Sequence, residues 1–127
     1  MHRIAVITVL GISLLAITVG CFPVYNVTDQ PIAPSGGKPR TLEEVKAAIV
    51  SAGEFRSWTM KDIAPGHLEG IRRLSVIIAA VDIKYSTTSY SITYKDSSQL
   101  NYDGKQIHMT YNDWVKELQE GIDSRLK

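Results

Sequence analysis

The sequence predicts an α+β domain: a helix, about four antiparallel strands and a C-terminal helix, with both helices on one face of the sheet. Three observations carry this expectation. A capped amphipathic run covers residues 41–53, apolar residues alternate at period two between 56 and 94, and an apolar stripe at helical spacing closes the chain over 111–122.

Thr41-Leu42-Glu43-Glu44 fits a capping box, in which the Thr hydroxyl accepts from the amide three residues on and Glu44 reaches back. Leu42, Val45, Ala48, Ile49 and Ala52 follow at helical spacing, and Gly53 is the expected stop. Trp58 and Met60 then alternate in a strand that ends at Ala64-Pro65-Gly66-His67, a type II turn signal with Pro second and Gly third. Beyond it the apolar set moves from even positions (Leu68, Gly70, Leu74) to odd ones (Ile77, Ala79, Val81, Ile83, Tyr85). One strand cannot keep a single face buried through such a change, so a turn or bulge is expected near Ser75-Val76. Ser86 to Ser89 read as a short loop, and Tyr90, Ile92 and Tyr94 as the last alternating strand. Asp103-Gly104 is a further turn signal. Tyr111, Trp114, Val115, Leu118 and Ile122 form the stripe of the second helix, which Thr110 or His108 can cap. The expected domain, residues 41–127, has a small core, so its two tryptophans weigh heavily in its stability.

The first forty residues read differently. Met1-His2-Arg3 is a short positive start, and Ile4 to Val19 carries no charge, the pattern of an export signal. The run ends at Thr18-Val19-Gly20-Cys21, which resembles the bacterial lipobox: small residues, Gly before the cut, then the cysteine. Thr18 stands where that pattern usually has Leu. The resemblance implies a signal peptide over 1–20 and lipid on Cys21, a membrane attachment through two or three acyl chains. Phe22, rather than Asp, after the cysteine implies transfer to the outer membrane. Two other outcomes stay open: an uncleaved transmembrane helix within the uncharged stretch Ile4–Thr28, and ordinary cleavage that leaves Cys21 a free thiol. Residues 21–40, rich in Pro and Gly and without apolar periodicity, are expected to be a flexible tether. As a coil, such a tether spans on the order of 25 Å.

Composition bounds the function classes. Of 14 Lys and Arg only Arg3 lies in the first twenty residues, so the remainder carries 13 against 13 Asp and Glu. Balanced charge, with Arg72-Arg73 the only adjacent basic pair, argues against a nucleic-acid partner. One cysteine excludes an internal disulfide and a cysteine-based zinc site.

Trp58, Pro65-Gly66, Val81-Asp82-Ile83-Lys84-Tyr85, Tyr90-Ser91-Ile92-Thr93-Tyr94, Leu100-Asn101-Tyr102, Ile107-His108 and Tyr111-Asn112-Asp113-Trp114-Val115 form a string of spaced motifs. Over about 70 residues this string resembles a family of small, uncharacterised proteobacterial lipoproteins. The resemblance implies lipid anchoring and an α+β fold, and brings no catalytic residues. Ile77 departs from it, standing where a histidine is expected.

The candidate ligand-binding residues are His108, Tyr111 and Asn112, with Asp113 beside them, at the start of the last helix, and Tyr90 and Tyr94 on the sheet. The first group reads either as a ligand or proton-handling site or as helix capping. Tyr85, Tyr90, Tyr94, Tyr102 and Tyr111 read either as a stacking platform for sugar or peptide or as core cover with hydroxyls at the rim. His67 is expected at an exposed turn, and Asp82 and Lys84 as a surface pair near Lys95 or Asp96. No Gly-x-Ser-x-Gly turn, phosphate loop or nucleophile–base set is present, so neither an enzyme nor a cofactor is expected. The expected function is a non-enzymatic interaction module, membrane-anchored and facing the periplasm, that docks on an envelope protein. A binder of glycan, peptide or amphiphile is the alternative.

Overall fold

The computed structural model describes residues 20–127, so the expected leader, apart from Gly20, lies outside the described residues. In chain order the strands are β1 (Cys21–Pro23), β2 (Val27–Pro31), β3 (Trp58–Ala64), β4 (His67–Leu74), β5 (Ile77–Tyr85), β6 (Ser89–Ser98) and β7 (Gln106–His108). The helices are α1 (Leu42–Phe55), between β2 and β3, and α2 (Met109–Arg125), after β7. The architecture is α+β. Five strands form one antiparallel sheet in the order β2-β6-β5-β4-β3, and β1 pairs with β7 in a second, two-stranded sheet.

The Thr41 hydroxyl caps α1, accepting from the Glu44 amide at 3.1 Å. Gly53 does not end this helix, which continues to Phe55. Packing explains the difference. A Cβ at Gly53 would stand 2.0 Å from the Met60 methyl carbon, so the glycine makes room for a β3 side chain instead of forming a cap.

The change of parity in the β4–β5 region is a two-residue hairpin. Leu74 pairs with Ile77 across it, and Ser75 adopts φ 55°, the left-handed conformation such tight turns use. Even positions of β4 and odd positions of β5 therefore share one face. In β6 an extra residue, Lys95, falls between Tyr94, opposite Val81, and Asp96, opposite Ala80. This bulge ends the alternation begun by Tyr90 and Ile92.

Residues 21–40 are not the flexible tether expected from their composition. β2 is the fifth strand of the sheet, lying beside β6, and it raises the strand number above the expected four. Val27 and Ile32 are 4% and 8% exposed and belong to the core. The two prolines in β1 and β2 fall at strand ends, Pro23 and Pro31, and β2 lies at a sheet edge, where a missing amide is tolerated. Asp29, at φ 48°, and a register shift between Val27 and Gln30 break the alternation that would have revealed the strand. The Gly36-Gly37 segment closes a turn in which Ser35 and Lys38 exchange backbone hydrogen bonds, and Arg40 reaches the carbonyls of Ala33 and Lys127.

Val45, Ile49 and Ala52 of α1, the stripe of α2 and the inward face of the sheet join one core. Trp58 and Trp114 meet edge to face, centroids 6.5 Å apart. The other sheet face mixes Ile71, Ile78 and Ala80 with charged side chains. His67 Nε2 lies 2.7 Å from Asp82 Oδ1, and Lys95 bridges Glu69 and Asp82. His67 is thus half-buried and partnered rather than a lone surface histidine.

Gly66, at φ +79°, carries the turn between β3 and β4, and a Cβ there would approach the Tyr85 carbonyl oxygen to 2.9 Å. The left-handed conformation alone disfavours a side chain by about 1–2 kcal/mol. Gly66→Ala is expected to lower unfolding stability by at least that amount. Chemical denaturation of the two proteins side by side checks it, and equal midpoints would contradict the assigned turn.

Candidate functional site around Cys21

The surroundings of Cys21 are built from the C-terminal part of the chain. Asp103 forms the turn that presents β7: its Oδ1 accepts from the amides of Lys105 at 2.9 Å and Gln106 at 2.7 Å. Those amides hold the Asp103 carboxyl below its ordinary pKa, Gln106 contributing most. His108 ends β7, its amide donating to Leu100 O, and its ring Nδ1 accepts from Thr110 N at 3.1 Å. The histidine is the N-cap of α2.

β1 lies along β7 with Cys21 opposite His108, Phe22 opposite Ile107 and Pro23 opposite Gln106. Just before it, the Gly20 carbonyl accepts from Met109 N at 2.6 Å. Gly20 has φ +100°, and a Cβ there would lie 3.0 Å from His108 Nε2. The positive φ favours glycine at this position, and a side chain there would also have to displace the His108 ring. Cys21, a free thiol, is half-buried.

α2 fixes the chain that follows. Asn112, 7% exposed, donates through Nδ2 to Pro23 O at 3.0 Å and accepts at Oδ1 from Tyr25 N at 2.9 Å. One turn on, Lys116 Nζ lies 5.1 Å from the centre of the Tyr25 ring, a cation–π contact. Gln119 Oε1 accepts from the Tyr25 hydroxyl at 2.6 Å. Residues 112, 116 and 119 follow helical spacing, so α2 carries a polar stripe for the N-terminal segment beside its apolar stripe for the core. Between Phe22, Pro23 and Tyr25 on one side and Met109, Asp113 and Lys116 on the other, a groove of about 350 Å³ opens at the surface. Phe22 is 50% exposed and Met109 43%.

The sequence-predicted ligand residues do not converge. His108 caps a helix and Asn112 clamps backbone. Tyr90, 1% exposed, donates its hydroxyl to Asp123 at 2.6 Å, and burial followed by this bond drives its pKa far upward. Tyr111 is buried in the core, and burial raises its pKa as well. Tyr94 is half-buried, stacked on Tyr102 at 4.0 Å and edge-on to Tyr111 at 5.5 Å. The five tyrosines do not form one exposed platform, while Tyr94 and Tyr102 line an open surface pocket. Tyr90 and Tyr111 lie in the core and offer no ring face to a ligand, and Tyr85 sits at the edge of the core beside Leu42 and Pro65. Sequence reasoning missed the roles of Pro23, Tyr25 and Lys116. The available signal was Asn112, a polar residue adjoining the buried stripe, which needs partners from elsewhere.

Among the described residues no group of three His, Cys, Asp or Glu is arranged to hold a metal ion. No helix among them is long and apolar enough to cross a membrane. Comparison of the chain with family models, with curated proteins and with solved structures finds no match.

Asn112→Ala leaves the Pro23 carbonyl and the Tyr25 amide without their partner, and is expected to cost about 1–3 kcal/mol. Loss of amide-exchange protection at Tyr25 should exceed that at β5; uniform loss would mean that β1 is not held separately. Asp103→Ala is expected to destabilise the β7 turn at neutral pH. Because the folded carboxyl titrates low, its contribution is present above the ordinary Asp pKa and disappears as pH falls through the lowered folded value. The gap in melting temperature between the two proteins should close on acidification, and a gap that persists there would assign the loss to another cause.

Proposed function

We propose that this protein is a bacterial cell-envelope lipoprotein, cut between Gly20 and Cys21 and lipid-anchored through Cys21, with its α+β domain acting as a non-enzymatic interaction module for an envelope protein. The observation that supports this reading best is the place of the sole cysteine. Cys21 follows the uncharged run Ile4–Val19, and it heads the first strand of the folded domain without being fully buried. A thioether to a diacylglyceryl group needs a sulfur on which every later residue can still fold, and position 21 meets that need.

Phe22 after the cysteine favours the outer membrane, facing the periplasm. Balanced charge and the absence of a nucleophile–base set in the sequence favour docking over catalysis. The groove between Phe22 and Met109 favours an amphiphile as the second reading, because its open side is largely apolar and adjoins the proposed anchor.

The test is intact mass and membrane fractionation of the full chain expressed in a bacterial host, beside Cys21→Ala. The expected wild-type product lacks residues 1–20, carries added acyl mass and sediments with outer membrane, whereas the variant does not. A wild type that keeps its N-terminus, or is recovered as soluble protein with a free thiol, overturns the anchor.

A further inference from the structure

We propose that one end of the domain, built from β1, the first residue of α2 and the β4–β5 hairpin tip, is seated in the headgroup–acyl boundary of the bilayer that holds Cys21. The proposal rests on the lipid-anchor reading and adds an orientation to it.

Contacts along α2 define the two ends of the fold. Trp114 lies under the Arg72 guanidinium at 4.4 Å, and Arg72 pairs with Ala79 close to the β4–β5 turn. Asp123 accepts from Tyr90, which pairs with Tyr85 at the β5–β6 loop. α2 thus runs from the turn end of the sheet to the loop end, and its first residue, Met109, lies at the turn end. Met109 bonds to Gly20, so Cys21 and Phe22 are at this end too.

Exposed apolar side chains there include Phe22 at 50%, Met109 at 43%, Leu74 at 60% and Val76 at 66%, and Phe55, at 73%, ends α1 three residues before Trp58, the partner of Arg72. A two-residue hairpin tip is ordinarily polar, and here Ser75 is flanked by two apolar side chains that the core does not use. Apolar residues projecting from one end, with an aromatic ring among them, suit the interfacial zone of a bilayer. Exposed Arg73, next to Leu74, suits anionic headgroups, whereas exposed Lys116 shares the groove with exposed Asp113 and adds no net charge there.

The chain itself argues for a membrane as the occupant. Because β1 is paired and clamped, no free segment separates Cys21 from the domain, and a lipid on its sulfur would draw this end to the surface. The apolar run 4–19 enters the fold at the same point, so a chain left uncleaved meets the bilayer at this end as well.

The test uses the processed full chain reconstituted in phosphatidylethanolamine–phosphatidylglycerol vesicles. Single cysteines introduced as Val76→Cys, Met109→Cys and Thr88→Cys carry an environment-sensitive fluorophore, with Thr88, exposed at the opposite end, as the reference. The parent protein, subjected to the same labelling, reports any reaction at Cys21. Positions 76 and 109 are expected to shift to the blue and to lose emission to spin-labelled lipid, while position 88 does neither. If all three behave alike on vesicles, the seating is overturned. Labels at 76 and 109 that stay water-exposed on vesicles and become protected only in native envelopes assign this end to a protein, and overturn it equally. Intact mass of each sample reads acylation independently. Vesicle-bound but unacylated protein with buried labels at 76 and 109 refutes the lipid anchor and keeps the seating, and a chain that neither carries lipid nor binds vesicles refutes both.

Discussion

The two-residue turn at Ser75-Val76 is the constraint from which the rest of the fold follows. With Ser75 left-handed and Leu74 opposite Ile77, Leu68 and Gly70 share a face with Ala79, Val81 and Ile83. A slip of one residue would bring Asp82 and Lys84 beneath the helices, so burial and turn geometry enforce the same register. Gly70 shows how tightly the result is fitted. A Cβ there would stand 3.1 Å from Val81 and 3.3 Å from the Trp58 ring. The space that glycine leaves lets Trp58 lie on the sheet and meet Trp114, and this contact positions α2. Through α2 the same register reaches β1.

The N-terminal segment is held by a helix that does two jobs on adjacent faces. Tyr111, Trp114, Val115, Leu118 and Ile122 close the core, while Asn112, Lys116 and Gln119 grip residues 23–30. Asn112 is the strongest of these links, because a buried amide that satisfies two backbone groups cannot be removed without stranding both. Phe22 and Met109 are left facing outward as a result. Their exposure follows from where Asn112 fixes the strand.

Much of the domain could be read from the chain. The capping box at Thr41, the Pro65-Gly66 turn and the stripe of α2 each rest on local chemistry within a few residues. The parity change also located its turn without a glycine or asparagine to mark it. The failures share a cause, which is contact between residues far apart in sequence. Gly53 looks like a stop until Met60 is placed against it. β2 is short, bulged at Asp29 and bounded by Pro31, so its alternation is erased and only Val27 and Ile32 betray it by their burial. The candidate site was legible at Cys21, and in part at His108 and Asn112, whose partners in the N-terminal segment were not. The tyrosines that alternate along β5 and β6 carry no sign of whether a helix covers their face, and here one does.

The capture of β1 also bears on the order of events in the proposed reading. Gly20 is buried against His108 with its carbonyl bonded to Met109, and Cys21 is paired in β1. A peptidase needs the bond between Gly20 and Cys21 extended and accessible, which this arrangement denies. In the proposed reading, lipid transfer and cleavage would precede the docking of β1, while the five-stranded sheet and the Trp58–Trp114 contact, which involve no residue before Val27, could already be formed. After the cut, the hydrogen bond from Met109 to Gly20 is lost, and β1 is kept by its pairing with β7 and by Asn112. In the proposed reading, the clamp of α2 would turn a lipid on one residue into a fixed orientation of the whole domain.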